Sequence, residues 1–460
     1  MLIRFNVKNF LSFDSRENYM SEEFSMIAGE AYGKKNHLYE DANIKVLKFA
    51  AIYGANASGK SNLLKAIDFM KKTVVEELPK GYTEKYCKTD EKNREKESYF
   101  EIEMKLQDKY YAYGFEMLLS KGRFLSEWLI ELNENDEKVI FTRDMIKGEY
   151  ELGECFEDKS LRTKLNVYAE DIQNDMTALF LSVMNQNKGN LYQQFKEVAV
   201  FRNVYWWFRS GLSIEYPSDF VSKDWYVISK IGSLEKACKI LEAFGTGITS
   251  YEISEIPAEK LDTYLPGEVR ENIKREIGRC YYSRASTEIQ DNDIFMLRNG
   301  TDFFMIEAMG EKLNYSMIKF KHDKKNILFQ LEEESDGTIR LLDLLEIILS
   351  GEGKTYFLDE LDRCLHPSLT YKFVDTFLQI AAEKDIQLVV TTHESRLLDF
   401  DLLRRDEIWF VDKRKTGESD IYSLEEYNKR FDQKIDKAYL EGRYGGVPVF
   451  STVFPIKEES

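Results

Sequence analysis

The chain has no run of about 18 apolar residues, so no segment reads as a membrane-spanning helix. Cysteine is sparse: the five residues Cys87, Cys155, Cys238, Cys280 and Cys364 are odd in number, scattered and without C-x-x-C spacing. That argues against a disulfide framework and against a zinc site. Sustained a/d heptads, internal repeats and low-complexity linkers are also missing, which removes long coiled-coil arms from consideration. Positive charge is in deficit, with a net charge of −17. Such a surface is poorly suited to wrapping phosphate backbones, where affinity comes from counterion release by Lys and Arg, although a local basic groove stays open. The opening "MLIRFNVKNFLSF" lacks a charged segment followed by an apolar one. It reads as an alternating strand rather than a signal peptide, and the cytosol (a cytoplasmic location) is the expected compartment.

What is present is an ordinary globular composition, 43% hydrophobic and 32% charged, over 460 residues. That length is long for one domain and predicts two lobes, or one domain with a large insertion. "VLKFAAIYG" (46–54) is a near-continuous apolar run, as expected of a strand covered on both faces. "SNLLKAIDFMKKTVVEEL" (61–78) follows as an amphipathic helix. Short β patterns between 96 and 141 predict an antiparallel meander. From about 160 to 290 the pattern is mainly helical. "SLEKACKILEAF" puts Leu234, Ala237, Cys238 and Leu241 on one stripe and stops at Gly245, and "PGEVRENIKREI" does the same with Val269, Ile273 and Ile277. Strands return over 303–332, 355–359 and 386–392. The polar stretch 83–98 reads as an exposed loop.

Between the apolar run and the helix lies "GANASGKS", which fits the spacing G-x-x-x-x-G-K-[ST]. Strand, glycine loop and helix are the context in which that spacing cradles phosphates. Gly54, Asn56, Ala57, Ser58, Gly59, Lys60, Ser61 and Asn62 are the candidate binding residues. Successive N–H groups point into the loop, the helix N-terminus adds positive potential, Lys60 reaches the outer phosphates, and the Ser61 hydroxyl meets Mg²⁺. Downstream, "TYFLDE" ends a short apolar strand in Asp359 and Glu360. Asp359 can hold the Mg²⁺ water shell and Glu360 can orient or deprotonate an attacking water; a solvated acid pair at a strand end is the plainer alternative. His393, in "VVTTHES", sits past another buried strand where it could reach a γ-phosphate. In "LEEESDGTIRLLDLLEIIL", Ser335 or Asp336 can cap an apolar helix. Beyond that cap, Ser335 and Gly337 could form an anion site for a nucleotide on a second subunit.

The order phosphate loop, "ESDGT", "FLDE", "TTH" resembles the ABC-type ATPase heads of the SMC and recombination-repair class. "ESDGT" is similar to the signature usually written LSGGQ, with Ser335 and Gly337 retained and Asp336 in place of the first glycine. "DELDRCLHP" and "YLEGRYGGVP" (439–448) resemble the bacterial AAA-type ATPases related to overcoming-lysogenization-defect proteins, which include the AriA-like ATPase subunits of PARIS-type phage-defence gene pairs. The resemblance covers roughly 1–75 and 315–448. It implies an α/β fold: an ABC/SMC-type P-loop ATPase head with a mixed sheet, flanking helices, an antiparallel β lobe and a mainly helical insertion. The expected organisation is 1–185 and 303–460 as the two halves of the head, with 186–302 inserted as a compact lobe.

The resemblance further implies ATP and Mg²⁺ as ligands, a head-to-head homodimer or higher oligomer around ATP, and a separate effector, for example a TOPRIM-like nuclease. In such heads an aspartate closes the loop after the acidic strand; His366 stands there instead. Gln186 in "LFLSVMNQN" is the candidate for the glutamine that contacts Mg²⁺, the alternative being an exposed helix-end residue. The stretch after His393 is expected to be too short for a nuclease lobe. The aromatic cluster "VYWWF" (204–208) reads as interior packing. Three readings stay open: an ATPase that controls a separate effector, a repair ATPase that clamps DNA, and an ATP-gated binding module with little turnover.

Overall fold

The computed structural model describes residues 1–14, 22–30, 33–76, 78–133, 137–217, 226–228, 234–271, 273–274, 293–298, 302–309, 312–322, 327–349 and 352–426. Ile277, Cys280 and the segment 439–448 lie outside them. Contacts divide the chain into two units, one of Leu2–Phe201 with Thr391–Ser460, the other of Arg202–Val390 with Met1. In this division residues 303–390 group with 202–302, and 391–460 with the N-terminal part.

In the first unit, seven strands form one antiparallel sheet in the order Glu149–Leu152, Glu137–Asp144, Arg123–Leu132, Lys109–Leu118, Ser98–Leu106, Leu2–Lys8, Glu22–Ser25. The meander expected between 96 and 141 is there, and the N-terminal strand extends it. Leu2–Lys8 lies inside the sheet, bonded to Ser98–Leu106 on one side and Glu22–Ser25 on the other. The strand Phe49–Tyr53 is wholly buried and pairs in parallel with Ile408–Lys413. Ser419–Ser423 closes that group by an antiparallel pairing. The helix Lys60–Val75 buries Leu63, Leu64, Ala66, Ile67, Phe69, Met70 and Val74, the i, i+3, i+4 stripe its sequence predicts. Each of these side chains larger than Ala66 contributes up to about 1.5–3 kcal/mol by leaving water.

Two buried polar clusters fix this unit. Arg143 and Glu127 are both fully buried and 3.6 Å apart. Glu127 Oε2 accepts from Phe180 N (2.7 Å) and Oε1 from Leu181 N (3.0 Å) and the Tyr113 hydroxyl (3.1 Å). Arg143 donates to the carbonyls of Ile172 and Ala178. Burial pushes the Glu127 carboxyl up, against the pull of the neighbouring guanidinium. The polar stretch 83–98 departs from the exposed loop its composition suggests. Cys87 and Asn93 are buried within it. The buried side chain of Asn9, a residue at φ +52°, accepts from Cys87 N and donates to Asn93 O (2.8 Å) and Lys96 O (3.1 Å). Asn tolerates that left-handed backbone, and its amide replaces the water the loop's backbone groups would otherwise need.

In the second unit, Leu212–Glu215, Thr355–Leu358 and Gln387–Thr391 run parallel as near neighbours in that order. A separate antiparallel sheet runs Tyr226–Ile228, Asp293–Arg298, Phe303–Met309, Lys312–His322, Ile248–Glu255. Its core is Leu265, Ile273, Leu297, Phe304, Ile306 and Met317. Residues 186–302 therefore hold, besides the helix Leu234–Ala243 that buries Ala237, Cys238 and Leu241, several strands of this sheet. Strand pairing across a gap of tens of residues is decided by tertiary packing, which helical periodicity does not report. Val204, Trp207 and Phe208 of the aromatic cluster are buried, as expected.

Candidate nucleotide site

The phosphate loop begins where the buried strand ends. Gly54 is the first residue past Tyr53, and a Cβ there would lie 2.4 Å from Val411 O and 2.5 Å from Ser58 Oγ. Asn56 and the left-handed Ala57 (φ +65°) form the exposed tip. Gly59, at φ +118°, is the N-cap of the helix and, as glycine, brings no capping side chain of its own. Lys60 is 7% exposed, and its ammonium donates to Gly54 O (2.7 Å) and Ala55 O (3.2 Å), so the cation is held within the arch of the loop. Ser58 Oγ is buried without a hydrogen-bond partner. A positive helix end, an enclosed ammonium and an orphaned buried hydroxyl together suit an anion of phosphate size. Ser61 and Asn62 stand half-buried in the first turn.

Two residues that the spacing does not reveal brace this loop from behind. Ser419 Oγ donates to Ser58 O (2.5 Å) and lies 2.7 Å from Ser12 Oγ, which accepts from Asn62 Nδ2 (2.8 Å). Ser419 N also donates to Ser12 O (2.8 Å). The one trace of Ser12 in the sequence is a small polar residue interrupting an apolar alternation, and Ser419 leaves none.

His393 is brought to the same strand end. Thr392 N donates to Ile52 O (3.1 Å) and the Tyr53 hydroxyl to Glu394 O (3.2 Å), so the exposed His393 lies between two residues anchored beside the start of the phosphate loop. Gln186 is not brought there. It is exposed and follows the helix Phe180–Met184, whose Ser182 hydroxyl donates to Val74 O. Val74 is 14 residues along the helix from Lys60, about 21 Å at 1.5 Å per residue. Exposed helix-end glutamine, the alternative reading, describes Gln186 better than a Mg²⁺ ligand.

In the second unit, Asp359 directly follows the buried strand, is 5% exposed and donates its N–H to Glu215 O (2.9 Å). Glu360 is exposed, in the left-handed region at φ +50°, with Arg363 3.7 Å from its carboxylate. The buried Arg340 donates to Glu360 O (3.3 Å). Burial depresses the Arg340 guanidinium below its ordinary value, and Asp343 pulls it back. Ser335 caps the helix Asp336–Leu349: its Oγ accepts from Thr338 N (3.2 Å) and lies 2.9 Å from Thr338 Oγ1. Gly337 sits where a Cβ would be 3.1 Å from Cys364 O, so the start of this helix and the turn after Glu360 are in close approach. His366 caps the helix Pro367–Ala381 through Nδ1, which accepts from Ser368 N (3.2 Å). Among the described residues no group of His, Cys, Asp and Glu forms a preassembled metal cage, and no helix is long and apolar enough to cross a membrane.

Among solved structures, the chain is similar to an SMC head bound to the C-winged helix domain of ScpA, at 13% identity over 95% of this chain and 99% of that one, with a TM-score of 0.42. It is also similar to the SMC head domain of Thermotoga maritima, at 13% identity over 92% of this chain and 98% of that one, TM-score 0.35. A third is an Smc head domain with an extended coiled coil bound to the C-terminal domain of ScpA, derived from Pyrococcus furiosus, at 13% identity over 96% and 98%, TM-score 0.36. No curated protein matches. The family model described as "AAA domain, putative AbiEii toxin, Type IV TA system" matches residues 49–166 and 184–399, well over half of the chain, and takes in the phosphate loop, Ser335, Asp359, Glu360 and His393. The chain belongs to this AAA-domain family.

Proposed function

We propose that this chain is an ATP-hydrolysing enzyme whose nucleotide controls the association of protein chains, and through it a separate effector, an anti-phage nuclease being the preferred candidate. The observation that carries the reading is the phosphate loop: an ammonium enclosed at Lys60, a partnerless buried hydroxyl at Ser58, and glycines at the two positions where a Cβ would collide. These features fit a polyphosphate, and the family's AAA description supports a nucleotide. Mg²⁺ bound at the Ser61 hydroxyl would neutralise charge on the transferring phosphoryl group. Glu360 takes the proton of the attacking water, and its exposed carboxylate is open to solvent for that purpose. His393 contacts the terminal phosphate. Ser335 and Gly337, at a helix start, receive the nucleotide of a second chain.

The net charge of −17 and the missing heptads favour this over a DNA clamp. The family description, which names one side of a toxin–antitoxin pair, is in keeping with action beside a second gene product. The test is the ATPase rate against protein concentration, with and without duplex DNA. A cooperative dependence on protein and indifference to DNA are expected. A rate linear in protein and raised more than about tenfold by DNA would replace this reading with the clamp.

A further inference from the structure

The carboxylate immediately before Ser335 has no part in the chemistry above, yet it is held as if its position mattered. The Glu334 side chain is 4% exposed, and its Oε1 lies 2.7 Å from His322 Nε2. A carboxylate accepts, so the imidazole donates through Nε2–H. His322 is itself confined. It is the last residue of the strand Lys312–His322, and its register partner is Ile248. The Phe329 ring meets it edge-on at 4.8 Å between centroids. On its other nitrogen, a Cβ at Gly247 would lie 2.9 Å from Nδ1, and Gly247 sits at φ +83°, so only glycine allows this approach.

From Glu334 onward the chain is pinned link by link. Glu334 N donates to Leu331 O (3.1 Å), Ser335 O accepts from Ile339 N (3.0 Å), and Ser335 Oγ accepts from Thr338 N (3.2 Å). The imidazole thus fixes the residue that sets where the Ser335 hydroxyl points. We propose that His322 is a positioning residue for Ser335. Through Glu334, the end of the strand Lys312–His322, an inner strand of its sheet, sets the geometry with which this helix start receives the nucleotide of a second chain. The inference rests on the reading of Ser335 given above and names the strand end that serves that site.

The experiment uses the full chain carrying Glu360→Gln, to suppress turnover, and reads two quantities: affinity of the protomer for a fluorescent ATP analogue, and ATP-dependent association by light scattering. His322→Leu keeps the packing against Phe329 and removes the donor; His322→Gln keeps an N–H donor. The expected result is protomer affinity within about twofold in both. Association should weaken at least about tenfold in the Leu variant and stay within about threefold of the parent in the Gln variant. If the Leu variant is unfolded before ATP is added, Glu334→Ala replaces it in the same assay, with the same loss expected. Normal association of the donorless variant, while Ser335→Arg blocks association, overturns the role of His322 alone. Equal loss in the Leu and Gln variants overturns it too, since packing would then suffice. Normal association of Ser335→Arg overturns the reading of Ser335 together with this one.

Discussion

The hydroxyl of Ser419 occupies the space a side chain on Gly59 would need, 2.2 Å from the position of the missing Cβ. Gly59 is thus demanded twice, by this close approach and by its φ of +118°. The two demands separate experimentally. Gly59→Ala is expected to lower ATP affinity at least about tenfold. Pairing it with Ser419→Gly should recover only part, because the backbone conformation stays forbidden to alanine. Full recovery in a nucleotide titration would mean that steric contact alone selects glycine.

Lys60→Ala removes the one cation that the loop encloses between Gly54 O and Ala55 O. Nucleotide binding should be lost while the far-ultraviolet circular dichroism stays unchanged, since the helix keeps its apolar stripe. Calorimetry showing wild-type affinity would sink the phosphate-loop assignment.

Glu360→Gln should bind ATP and turn it over at least about a hundredfold more slowly, because an amide cannot take the proton of the attacking water. Single-turnover hydrolysis is the measurement. An unchanged rate would assign the base to another residue.

Arg143→Met should cost about 3–5 kcal/mol in urea unfolding, the usual penalty for leaving a buried charge without its partner. Glu127 would then be a carboxylate in a site where neither side chain of the pair is exposed. Adding Glu127→Gln should restore part of the loss, since the amide oxygen can still accept from the backbone at Phe180 or Leu181. A single-variant cost below about 1 kcal/mol would show that water reaches the pair.

How far the sequence was legible depended on whether a residue's task was local. The strand Phe49–Tyr53, the loop and the helix Lys60–Val75 follow from contiguous patterns, and so does the Ser335 cap, because each is decided within a few residues. The stretch 83–98 misled because its polarity says nothing of Asn9, which reaches it from 84 positions away to bond Asn93 O. The strands within 186–302 were hidden for the same reason: Ile248–Glu255 finds its partner in Lys312–His322, across an intervening span with helical periodicity. For Gln186 the residue type and the place near a join are visible in the sequence, and neither encodes that the preceding helix docks at the Val74 end of Lys60–Val75.

The brace of Ser12 and Ser419 also bears on the order in which the protein can mature. The two hydroxyls are 407 positions apart. A nascent chain possesses the strand, the glycines and Lys60 early in synthesis, and it lacks their backing until Ser419 has left the ribosome. Contacts of such separation form late and slowly, because the loop they close is long. A chain that stops short of Ser419 should therefore be a poor consumer of ATP even though its phosphate-binding motif is whole, and nucleotide capture waits on the arrival of that one hydroxyl.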